Sequence, residues 1–183
     1  MRVLVVLSFI VPFLSCTTIN HNVVTVEQYK LSYIDSQFNP IIDSFIYEAR
    51  SRGHTVNLTN LSMTFGNIRI KKDDRTVGYC VHDVLGGMII KIHDQTWKDM
   101  DIYSREQLVF HEMGHCLIGR EHCIKANKDG PISIMFPRVL DSNYYRIHRE
   151  ELVDELFNIS PECIGDDGNV NEVDGKVCTP PIR

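Results

Sequence analysis

The chain has no run of basic residues, no internal repeat and no low-complexity tract. With a formal net charge of −5, the first absence removes the cationic surface that would neutralise a phosphate backbone, so no nucleic-acid partner is expected. The other two exclude repeat arrays and long compositionally biased linkers. What is present is 183 residues with 43% hydrophobic content, enough for one sizeable core.

The N-terminus carries a marked apolar run, Val3–Leu14, broken by Ser8 and Pro12 and preceded by Arg2. It is too short to span a bilayer as a mature helix and has the form of a secretory signal over residues 1–15. Ser15 directly before Cys16 resembles the end of a bacterial lipoprotein signal, which implies a lipid anchor on Cys16 and a membrane-attached, cell-envelope location; ordinary secretion is the alternative. Export permits disulfides among the six cysteines, Cys16, Cys80, Cys116, Cys123, Cys163 and Cys178. A lipidated Cys16 leaves an odd number, hence one free thiol. Cys163 and Cys178 bracket a polar tail and are the expected pair, worth roughly 3 kcal/mol by loop closure.

The rest reads as one α+β unit: a tether with a first strand over residues 16–38, then a domain over residues 39–183. In "NPIIDSFIYEARSRG", Asn39 suits a cap, Pro40 the first helical position, and Gly53 the stop. The stretches "HTVNL", "NIRIKK", "TVGYCVH" and "GGMIIKIHD" read as strands, the last with Met88, Ile90 and Ile92 alternating against Ile89 and Lys91. "SREQ" at Ser104–Gln107 has the form of a capping box, which predicts a helix from about Arg105 to Ile118. A last helix is expected from about Asn143 to Asn158.

The middle helix carries "HEMGHCLIGREH". On a helix, His111 and His115 stand one turn apart and share a face, a spacing at which two neutral imidazoles can hold one zinc ion. Glu112 flanks that face, where a carboxylate can take a proton from a metal-activated water without being a ligand. Gly114 costs about 1 kcal/mol inside a helix, so something is expected to pack closely against it.

"HEMGHCLIGREH" followed by "SIMFP" resembles the metzincin clan of zinc metallopeptidases, whose members share His-Glu-x-x-His-x-x-Gly-x-x-His and a methionine-containing turn beneath the metal. The resemblance covers His111–Pro137. It implies a metzincin-like fold: a mixed twisted sheet with a backing helix, an active-site helix, a Met-turn and a C-terminal helix, divided into an upper part to about residue 119 and a lower part beyond it. It further implies zinc held by His111, His115 and His122, Glu112 as general base, Gly119 at the turn and Met135 below the site. It also implies that the strand Met88, Ile89, Ile90, Lys91 and Ile92 is the edge along which an extended protein or peptide substrate pairs.

One departure stands out: Cys116-Leu117-Ile118 places three residues before Gly119 where the clan has two. If the helix runs one residue longer, Gly119 still makes the turn and His122 is the third ligand. If the register is held from His115, Glu121 becomes the ligand and Ile118 must turn, which a β-branched residue disfavours; His122 is therefore preferred. A thermolysin-like geometry would instead recruit Glu150, Glu151 or Glu155. Pro137 stands where some relatives have a tyrosine, and Tyr144 and Tyr145 read as packing residues. The expectation is an exported zinc endopeptidase. Its competitors are a non-catalytic zinc-stabilised surface lipoprotein, for which Glu112 would be superfluous, and a disulfide-stabilised binding module without metal.

Overall fold

The computed structural model describes residues 32–67 and 76–164. The signal segment, Cys16, Cys178 and the body of the "NIRIKK" strand lie outside them. Among the described residues three strands and four α-helices form an α+β arrangement. Strands β1 (Leu61–Gly66), β2 (Gly78–His82) and β3 (Met88–His93) make a mixed sheet in the order β1-β3-β2, with β1 parallel and β2 antiparallel to β3.

That order corrects one expectation. Met88, Ile89, Ile90, Lys91 and Ile92 are not an edge: they pair with Leu61–Phe65 on one side and with Gly78–His82 on the other. Their backbone groups are committed to both neighbours, leaving no ladder for an added chain. β2 is the outer antiparallel strand among the described residues. The alternation of the β3 residues reports which face is buried, and Ile90 and Ile92 are indeed fully buried. Strand order carries no such trace in the sequence.

Helix α1 (Asn39–Ser51) begins with Pro40 near its first position, where a missing N–H costs no hydrogen bond. Asn39 does not cap it; the preceding single turn, Ser36–Phe38, is capped by Asp35, and Phe38 leads directly into the helix. The expected tether is partly structural, since Ile34 bridges to Met63 and Phe38 is fully buried. "HTVNL" forms no strand; Asn57 accepts a hydrogen bond from the Thr59 N–H and starts a turn there.

Helix α2 (Asp94–Asp99) is short and follows β3 without a loop, capped by the His93 ring. Helix α3 (Ile102–Ile118) starts earlier than the capping-box reading placed it, because Asp101 accepts the Ser104 N–H at 2.8 Å and takes the N-cap role. Helix α4 (Ser142–Phe157) is capped in the same way by Asp141. Phe45 of α1 meets Phe110 of α3 and Phe157 of α4, each with ring centroids 5.1 Å apart, which locks the three helices around one apolar centre.

Two disulfides bond the described cysteines: Cys80–Cys116 ties β2 to α3, and Cys123–Cys163 ties the chain after α3 to the end of α4. The expected Cys163–Cys178 pairing is thereby overturned. Loop-closure entropy favours a near partner in sequence, but α4 returns Cys163 to within 5.3 Å (Cα–Cα) of Cys123.

Candidate metal centre

Helix α3 has to end abruptly for its two histidines to find a third. Gly119 ends it in the left-handed conformation (φ 65°), and the Gly119 and Arg120 amides both return to the Gly114 carbonyl. The chain reverses within two residues, and His122 comes back over the helix face. Nε2 of His111 then lies 3.1 Å from Nε2 of His115 and 3.2 Å from Nε2 of His122.

The other ring nitrogens of His111 and His115 fix how these two rings present Nε2. Nδ1 of His111 is 2.8 Å from the Ile134 carbonyl, and Nδ1 of His115 is 2.6 Å from the Arg120 carbonyl. A carbonyl only accepts, so Nδ1–H is the donor in both contacts. A neutral imidazole has one N–H, so Nε2 of each of these two rings presents a bare lone pair. Lone pairs facing each other at 3.1 Å repel unless a proton or a cation lies among them.

Burial, together with the neighbouring His115 and His122, holds His111 well below the usual imidazole range. Burial and His122 push His115 down to about 4. Both shifts favour the neutral rings, whose facing Nε2 lone pairs could accept a cation among them. A tetrahedral ion with bonds of about 2.0–2.1 Å separates its donors by about 3.3–3.4 Å, close to the spacing found here. The three histidines fit such an ion, and imidazole nitrogen suits zinc, copper, iron or nickel.

The competing carboxylates are elsewhere. Glu121 is exposed. Glu150 pairs with Arg52, Glu151 with His148, and Glu155 with Arg120. Of the residues raised by the two alternative spacings, only His122 joins His111 and His115.

Glu112, the residue after His111 in α3, is buried, and burial pushes its carboxyl up to about 8. It faces β2: a Cβ built on Gly78 would lie 2.7 Å from its Oε1. Gly78 therefore leaves the room in which the carboxylate stands, and Cys80, two residues on, is covalently bound to Cys116 of the same helix.

Met135 is fully buried beneath α3. A Cβ on Gly114 would meet its Sδ at 2.7 Å and Leu156 Cδ1 at 3.1 Å, which accounts for a glycine inside the helix. The turn that carries Met135 is pinned by Ser133 Oγ, which accepts the Met135 N–H at 3.0 Å, and by the Cys123 N–H, which donates to the Met135 carbonyl at 3.0 Å. The same turn supplies the Ile134 carbonyl that orients His111.

Tyr144 donates to the Pro131 carbonyl and Tyr145 to Glu106, so both hydroxyls are engaged in packing contacts. His93 serves α2 as its cap. Sequence reasoning did not identify Gly78 or the carbonyls of Ile134 and Arg120 as parts of the site. The glycine inside the predicted strand "TVGYCVH" is the one available signal; a backbone carbonyl leaves none.

No match emerges for this chain among protein-family models, curated proteins or solved structures. The reading of the centre accordingly stands on its geometry and chemistry.

Proposed function

We propose that this chain is an exported zinc endopeptidase of metzincin-like architecture, with His111, His115 and His122 as ligands and Glu112 as general base. The observation that carries the reading is the convergence of three imidazole Nε2 atoms, two of them left as acceptors by carbonyls behind the rings, with a buried carboxyl outside the triad at the position following His111. A metal held only for folding has no use for that carboxyl.

Zinc bound there supplies Lewis acidity, polarising a scissile carbonyl and lowering the pKa of water to about 7. In this reading Glu112 takes the proton of the attacking water and delivers it to the departing amine nitrogen. A cation held by the three histidines would favour the Glu112 carboxylate against the effect of burial. The Ile134 and Arg120 carbonyls keep His111 and His115 in the tautomer that offers Nε2.

Substrate pairing belongs to β2 rather than β3. Its first residue, Gly78, lies against Glu112, and a peptide extended along this outer strand is carried past the carboxylate. The two disulfides suit an oxidising compartment, in keeping with export.

The decisive test is cleavage of an unstructured, quenched-fluorescent protein by the zinc-loaded chain beside an equally folded and zinc-loaded Glu112→Ala variant. Activity in the first and none in the second is expected. Equal activity in both would remove Glu112 from the mechanism, and inactivity of both with zinc bound would favour a zinc-stabilised surface protein.

A further inference from the structure

Arg120 is an arginine with only 5% of its surface exposed, placed immediately after the glycine that ends α3. Its guanidinium is inserted into the C-terminal end of α4: Nη1 donates to the Glu155 carbonyl at 2.7 Å and to the Leu156 carbonyl at 2.5 Å, and Nη2 to Glu155 Oε1 at 2.6 Å. Those carbonyls belong to the last turn of α4, where a helix leaves its acceptors without intrahelical donors and carries partial negative charge. A cation that donates to two of them and to a carboxylate of the same turn is held at three points. Its position is therefore set by α4, not by the loop in which it lies.

The backbone of the same residue faces the other way. The Arg120 carbonyl accepts the Nδ1–H of His115 at 2.6 Å, and its N–H closes the end of α3 on Gly114. Leu156, whose carbonyl Arg120 caps, also packs against Gly114 through its side chain.

We propose that Arg120 is a positioning residue of the metal centre: by anchoring in the end of α4 it holds its own carbonyl behind His115, and so fixes the ring orientation and tautomer that direct Nε2 at the ion. The inference rests on the metal-site reading above and extends it to a residue that touches neither ion nor substrate. Partners that orient metal-binding histidines typically change affinity by about 10–100-fold when lost.

The test compares the full chain with Arg120→Met, Arg120→Lys and the double variant Arg120→Met/Glu155→Met. The double variant removes both charges together, because an unpaired Glu155 at this depth would itself destabilise the fold. Two readouts are taken on protein shown to be folded: zinc affinity by competition with a chromophoric chelator, and the 15N imidazole spectrum of metal-free protein, which reports whether His115 carries its proton on Nδ1. Expected are a loss of about 10–100-fold in zinc affinity for the double variant, mixed tautomers at His115, and partial recovery of both with lysine. A folded double variant with parental affinity and a pure Nδ1–H tautomer would overturn the proposal while leaving the metal site intact. Failure of the parent itself to bind zinc would remove both.

Discussion

The contact between Gly78 and Glu112 yields the sharpest test of the catalytic reading. In Gly78→Ala the new Cβ would stand 2.7 Å from Glu112 Oε1, 3.2 Å from its Cδ and 3.0 Å from Ile92 Cδ1, where ordinary contact begins at 3.4 Å. The methyl group has no open space, and the freest of the three atoms is the carboxylate oxygen at the end of its side chain. Glu112 must therefore retreat by about 0.7 Å, and a misplacement of about 1 Å in a reacting group costs about 10²-fold in rate. The expected fall in kcat/KM is about 10- to 100-fold, equivalent to about 1.4–2.7 kcal/mol of transition-state stabilisation. Stability should change little: alanine gains about 0.5–1 kcal/mol over glycine in a strand, offsetting the strain at Ile92. The three histidines are untouched, so zinc content should be unchanged. Cleavage of the quenched-fluorescent protein, zinc content and thermal unfolding would be measured on the same preparations. A Gly78→Ala protein with parental turnover and parental zinc content would refute the placement of Glu112 in the reaction.

Gly114→Ala inserts a methyl group at 2.7 Å from Met135 Sδ and 3.1 Å from Leu156 Cδ1; overpacking of about 1–3 kcal/mol against a helix-propensity gain of about 1 kcal/mol predicts a net loss of about 1 kcal/mol in urea unfolding. Paired Cys123→Ser and Cys163→Ser substitutions open a loop of sequence separation 40 and should lower stability by about 4 kcal/mol on the chain-entropy account, read from the urea midpoint. Chelation followed by thermal unfolding should lower Tm, and zinc restored at about 1,000 times its dissociation constant should return about 4 kcal/mol. Burial pushes the Glu48 carboxyl up, but hydrogen bonds and charge from Arg149 and Arg52 outweigh it and hold it below its ordinary value of 4.5. A depressed carboxylate contributes stability above its unfolded pKa and loses it as pH falls through the folded value, so Glu48→Gln should lower stability near pH 7 and flatten the decline below about pH 4.5.

Local signals were legible where one stretch of chain decides its own structure. The helical spacing of His111 and His115, the stop at Gly119 and the close packing implied by Gly114 all depend on α3 and its immediate neighbours. The helix start at Ser104 was misread because Ser104-x-x-Gln107 and Asp101-x-x-Ser104 are both adequate caps, and the carboxylate three residues upstream takes the amide. α2 went unseen because its six residues are too few to show a period. The β3 edge and the Cys163 pairing failed for a different reason, since each depends on which distant segments become neighbours. Arg120 left no trace either: arginine after a helix-ending glycine reads as solvent-exposed, and only the end of α4, some 35 residues later, gives it a buried partner.

The extra residue before Gly119 shows how such distant partners decide the site. One more helical residue rotates the exit of α3 by about 100° and advances it by about 1.5 Å, enough to send the following loop to another side of the helix. His122 nevertheless reaches His111 at 3.2 Å. The chain is brought back by its anchors: Arg120 in the last turn of α4, the Cys123 N–H on the Met135 carbonyl, and the Cys123–Cys163 disulfide beyond. Two of the three fasten this loop to α4 or to the residues just after it. His122 is thus placed less by its spacing from His115 than by the helix that follows, and if the three histidines hold zinc as proposed, variants at the end of α4 are where changes in metal affinity without any change in the histidines should be sought.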